Sequence, residues 1–181
     1  MTGLTRGWWI LVLFALFLAT NGYVFPTVAR RIATTAGMSS FRPLDLTPLY
    51  SPDHAYASLA SLGDGGRRMY AMVELTIDVI YPIVYAFLFF LLARWMLARS
   101  TPPPRWLERA TLLPFCAAAL DLTENVFILA LMMRFPERSE RVAQAASLVT
   151  TTKLLSLIAT LLLLLFLFGR MLVRRRAPAS A

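Results

Sequence analysis

TLLPFCAAALDLTENVFILALMM, residues 111–133, decides the fold. It is long enough and apolar enough to cross a bilayer as a helix, yet it holds Asp121, Glu124 and Asn125 at its centre. At about 100° per residue, Glu124 lies about 60° and Asn125 about 40° from Asp121, so the three share one face. A carboxyl group at bilayer depth costs about 2.5–3.5 kcal/mol on insertion scales. Two within one turn require partners from elsewhere in the chain.

Three further segments have the same apolar character. The expected spans are about 8–29, 69–92, 111–133 and 142–172, within a single domain over 1–181. The fold class expected is all-α: a four-helix transmembrane bundle, with an extracytoplasmic loop over 30–68 and a cytoplasmic loop over 93–110. Composition agrees, with 58% hydrophobic residues and a mean hydropathy of +0.63; soluble domains are nearer about 45–50% apolar. The net charge of +8 comes largely from Arg flanking the apolar segments. That suits membrane anchoring, and no nucleic-acid partner is expected. A cleaved signal peptide is the rival reading of the first segment. No A-x-A pattern follows it, and the apolar character resumes at Tyr23-Val24-Phe25.

One Cys and one His exclude several classes. Cys116 alone forms no intramolecular disulfide or redox pair, and its apolar surroundings read as packing. His54 lies outside the spans. A His-built zinc hydrolase, a bis-His haem protein and a Ser-His protease within the membrane lack their ligands or base. No metal site and no cofactor is expected.

In the long loop, Ser51-Pro52-Asp53 starts a short helix and Gly63 stops it. Tyr56, Leu59, Ala60 and Leu62 give it an amphipathic face for the membrane surface or the end of the bundle. Asp64-Gly65-Gly66-Arg67-Arg68 leads into span 2, where Tyr70, Glu74, Asp78, Tyr81 and Tyr85 form a polar stripe. Pro82 removes the bond to the Asp78 carbonyl, so a kink is predicted there. Span 1 contributes Asn21, and span 4 contributes Thr150 and Lys153. All four Trp residues (Trp8, Trp9, Trp95, Trp106) fall at one end beside short Arg-rich segments, which predicts both termini in the cytoplasm.

A rise of 1.5 Å per residue places Glu74 about 9 Å, and Asp78 and Lys153 about 15 Å, in from the long-loop side. Asp121, Glu124 and Asn125 arrive in the same layer from the opposite direction. Four carboxyls facing one Lys cannot all be ionised in a dry site, so a Lys153–carboxylate pair plus protonated acids is expected.

The pattern resembles a group of small bacterial four-span membrane proteins without an assigned activity. The resemblance rests on Leu62-Gly63, Gly66-Arg67, Tyr70, Asp78, Tyr81-Pro82 and Tyr85, then Asp121-x-x-Glu124-Asn125, Phe135-Pro136 and Thr151-x-Lys153. It implies a bacterial cytoplasmic-membrane protein and brings no reaction with it.

The first functional expectation is a cavity that binds a lipid-like or small amphiphilic molecule, with acid–base conversion as its chemistry. Asp78, Asp121 and Glu124 would handle protons, and Lys153 would be the counter-charge. Tyr81 and Asn125 would orient the ligand, with Glu74, Tyr70 and Asn21 as further binding residues. The expected partners are membrane lipids and a lipid-like or small cationic ligand. Two alternatives stand beside it. One is a proton- or cation-coupled transporter, which needs a homo-oligomer because four helices enclose little pathway. The other is a non-catalytic assembly subunit, in which the polar layer only fixes helix register.

Overall fold

A computed structural model describes residues 3–100 and 102–176, and the described residues form helices and turns with no strand. Both chain ends, assigned above to the cytoplasm, lie outside the described residues. The first apolar segment forms α1 (Gly3–Ala19), a π-helical turn (Thr20–Val24) and α2 (Phe25–Thr35). The π turn follows from Pro26, which has no N–H for the preceding turn. The chain widens there, and the Phe25 N–H reaches back to the Thr20 carbonyl. Helix was expected to stop near Ala29 but runs to Thr35. It ends where Gly37 takes φ +68° and the Met38 and Gly37 amides bond the Ala33 and Thr34 carbonyls at 2.8 and 3.1 Å.

The loop helix α3 (Pro52–Ser61) starts as predicted, with Ser51 Oγ accepting the His54 amide at 3.2 Å. Its buried face is Ala55, Tyr56 and Leu59, continued by Leu62, whereas Ala60 is exposed. Ala60 lies a further 100° round from Leu59, about 40° beyond Tyr56 and past the edge of the buried face.

The Gly65-Gly66-Arg67-Arg68 lead-in is already helical, within α4 (Gly63–Leu75). The glycines serve close packing against the end of α2. A Cβ on Gly65 would meet Thr35 Cγ2 at 3.0 Å, and one on Gly66 would meet Leu62 Cβ at 3.1 Å and Ala36 Cβ at 3.4 Å. Gly66→Val is therefore expected to lower stability by about 1–3 kcal/mol. Gly169→Val, where a Cβ meets nothing within 4 Å, should change it by less than about 0.5 kcal/mol. Thermal midpoints of the two purified variants compare them, and equal midpoints would contradict the close approach.

The structure also interrupts span 2 before the predicted kink site, Pro82. Pro82 sits inside α5 (Ile77–Leu97), and the interruption falls at Thr76, which takes φ −122° and ψ −78°. The Thr76 hydroxyl donates to the Met72 carbonyl at 2.6 Å, the place its amide would fill in a continuous helix. The amide turns to Val73 O at 3.1 Å instead. The chain then runs through the extended Pro102–Pro104 segment into α6 (Arg105–Ala110), α7 (Leu113–Arg134) and α8 (Glu140–Arg176). Within this connection, α6 buries Leu107 against Ala93, Leu97 and Leu167.

Helix α7 packs against both α5 and α8, α1 packs against α5, and α2 packs against α4. Buried Ala117 and Ala118 turn α7 inward; Cys116, one position away, therefore faces out and is exposed, not packed as expected. Leu161, Leu162, Leu165 and Phe166 of α8 and Leu11 of α1 are also exposed. Four helical segments, Gly7–Thr35, Gly63–Leu97, Arg105–Arg134 and Glu140–Val173, are long and apolar enough to cross a membrane.

Candidate functional site

A polar layer lies between two apolar ones. On α7 it falls between Ala117/Ala118 and Ile128, and on α8 between Ala146 and Leu157. Asp121 and Glu124 are one turn apart, so both reach one ammonium group. Lys153, 4% exposed, pairs with Asp121 Oδ1 at 3.2 Å and with Glu124 Oε2. The second oxygen of each acid is also occupied. Tyr85 donates its hydroxyl to Asp121 Oδ2 at 2.9 Å, and Thr150 donates to Glu124 Oε1. Thr150 and Lys153 are likewise one turn apart, so α8 presents both donors on one face. Three of the four oxygens of these carboxyls accept a hydrogen bond and the fourth, Glu124 Oε2, is held in the ion pair with Lys153, so the buried charge is compensated.

Asn125 does something different. Its side-chain amide donates to the Asp78 carbonyl at 2.7 Å and reaches the Glu74 carbonyl at 3.5 Å. Pro82 and the break at Thr76 leave these groups without their usual helical donors, and Asn125 spans the gap from α7. Glu74 itself is 0% exposed, and neither of its carboxyl oxygens has a hydrogen-bond partner among the described residues.

In front of this layer lies a cavity of about 450 Å³. Phe25, Val28 and Ile32 of α2 face Leu154 and Leu157 of α8 across it, and Asp45, Asp78, Asp121 and Lys153 give it a polar side. Asn21 and Tyr81 meet at its wall. The Asn21 amide donates to the Tyr81 hydroxyl at 2.9 Å, and that hydroxyl donates back to Asn21 Oδ1 at 3.1 Å. Asn21, Pro26, Arg42 and Leu46 line the cavity and are exposed, so its open edge runs from the loop down to the π turn. The volume falls in the range of small-molecule sites, about 300–1,000 Å³.

Among the residues predicted for the site, Asn21, Tyr70, Asp78, Tyr81, Asp121 and Lys153 line this cavity; Glu74, Glu124 and Asn125 stand behind its wall. Asp45 and Arg42 were not anticipated. The long loop folds back over the bundle, burying Leu44, whose amide donates to the Tyr70 hydroxyl at 3.1 Å. Tyr70 in turn donates to Asp45 Oδ1 at 3.1 Å. The only sequence signal was an acid between two leucines in Leu44-Asp45-Leu46. Arg67, on the same helical side as the stripe, lies away from the cavity, with its guanidinium 4.1 Å from the Phe135 ring centroid.

Fold and site together define an all-helical protein with four helices able to cross a membrane, an acid–lysine layer at its centre and a half-apolar cavity beside that layer. No protein-family model, no curated protein and no solved structure matches the chain.

Proposed function

We propose that this is an integral membrane protein that binds a lipid-like or small amphiphilic molecule in this cavity, with the polar end of the molecule at Asp78. The observation that carries the reading is the division of the cavity walls. Apolar side chains of α2 and α8 line one part, and Asp45, Asp78 and the Asp121–Lys153 pair line the other. A molecule with both characters matches both parts. Asp78 is the group available for proton exchange with the ligand, since its carboxyl accepts no hydrogen bond from the described residues. Asp121 and Glu124, by contrast, are engaged by Lys153, Tyr85 and Thr150. Placement in a bilayer is supported by the outward Leu and Phe side chains of α8, which only lipid or another apolar surface would cover. In that placement the 30–68 loop is extracytoplasmic, both termini are cytoplasmic, and the cavity edge opens toward the loop side.

Mass spectrometry of small molecules retained through gentle purification tests the reading. A species retained by the wild type is expected to be lost from Ala29→Phe. That substitution fills the cavity from α2 without touching a charged group. Equal retention by both proteins, or no retained species and no saturable uptake of added amphiphiles by the wild type, would sink the proposal.

A further inference from the structure

We infer that the cavity is built for an amphiphilic amine, a molecule with an apolar chain and a protonated nitrogen; this rests on the binding reading above and specifies its ligand. Charge accounting is the first ground. The one buried cation among the described residues, Lys153, is shared by Asp121 and Glu124. Arg42 sits exposed at the edge, donates to the Leu46 carbonyl at 3.0 Å and forms no ion pair with a cavity acid among the described residues. Asp45 and Asp78 therefore face the cavity without an ion-pair partner among the described residues. An anionic head would repel these acids in their ionised form, and a neutral head would leave that form unpaired. A cation completes it.

The second ground is independent of charge count. Each of these two acids stands beside a pair of aromatic rings that also line the cavity. Phe41 and Tyr70 meet edge to face at 5.2 Å on the Asp45 side. Phe25 and Tyr81 meet edge to face at 5.0 Å, one helical turn from Asp78. Aromatic faces beside carboxylates are the surroundings in which ammonium groups are held. The chain's contribution to selectivity is small. A tail that leaves lipid for an apolar wall gains little, because lipid is as apolar as leucine. The head therefore sets which amphiphile binds.

The test uses the full-length protein in nonionic maltoside micelles and three isotope-labelled probes of equal chain length: dodecylamine, dodecanol and dodecanoic acid. Dodecylamine is expected to bind at least about tenfold more tightly than the other two, and Asp78→Asn or Asp45→Asn to remove most of that preference. Retained dodecanol binding shows that each variant is folded. Equal affinity for all three probes in the wild type, or an amine preference untouched by both variants, overturns the amine inference and leaves amphiphile binding standing. If none of the probes binds saturably, the binding reading falls and takes the inference with it.

Discussion

Lys153→Met is expected to destabilise the protein by about 3–5 kcal/mol, the usual cost of removing one partner from a buried charge pair. The magnitude comes from what is left behind. Asp121 and Glu124 lose the ammonium group they share, and Glu124, at 0% exposure and outside the cavity lining, has no water to replace it. Tyr85 and Thr150 still donate to one oxygen of each acid, but neither carries charge. The decisive comparison is the triple variant Lys153→Met, Asp121→Asn, Glu124→Gln. It removes every charge of the cluster and keeps much of its volume, so it should recover much of the loss, because no unpaired buried charge remains and the Asn and Gln side-chain oxygens can still accept from Tyr85 and Thr150. Thermal unfolding of the two purified proteins reads the difference. A single variant as stable as the triple would mean that the ammonium group does not compensate these acids.

That cluster was legible in the sequence for a simple geometric reason. A helix rises by a constant amount per residue, so hydropathy boundaries alone put Asp121, Glu124 and Lys153 in one layer, with Thr150 shallower. The all-helical class and the four apolar helices followed from the same regularity. Features without a period were not legible. Asp45 and Arg42 lie in a loop whose path depends on Leu44 finding a buried seat and a hydroxyl on Tyr70. Gly65 and Gly66 read only as a lead-in to span 2 because Thr35 and Ala36, which they approach, are brought near by the packing of α2 on α4. The break at Thr76 was not anticipated for a related reason. A proline announces the carbonyl it abandons, here that of Asp78, but not where the helix relaxes. That location depended on a threonine hydroxyl able to take over the Met72 carbonyl.

Asn125→Leu is expected to cost about 1–3 kcal/mol, the penalty of leaving a buried polar group without its partner, and the cost should depend on Pro82. In the wild type the Asn125 amide supplies the Asp78 carbonyl with the hydrogen bond that Pro82 cannot give. In a Pro82→Ala background residue 82 regains an N–H, the Asp78 carbonyl regains a donor within α5, and Asn125→Leu should cost less. The four proteins of this double-mutant cycle are expected to show a coupling of about 0.5–3 kcal/mol, as for residues acting on one group. Strict additivity would mean that Asn125 stabilises the protein in some way other than bridging the broken helix. The consequence for the cavity follows from chain geometry. The carbonyl held by Asn125 belongs to the residue whose carboxyl faces the cavity, so releasing it frees the first turn of α5 to move Asp78. Asn125→Leu should therefore weaken dodecylamine binding while Asp78 is still present, and Pro82→Ala should restore part of it. A residue that merely touched the ligand would show no such rescue.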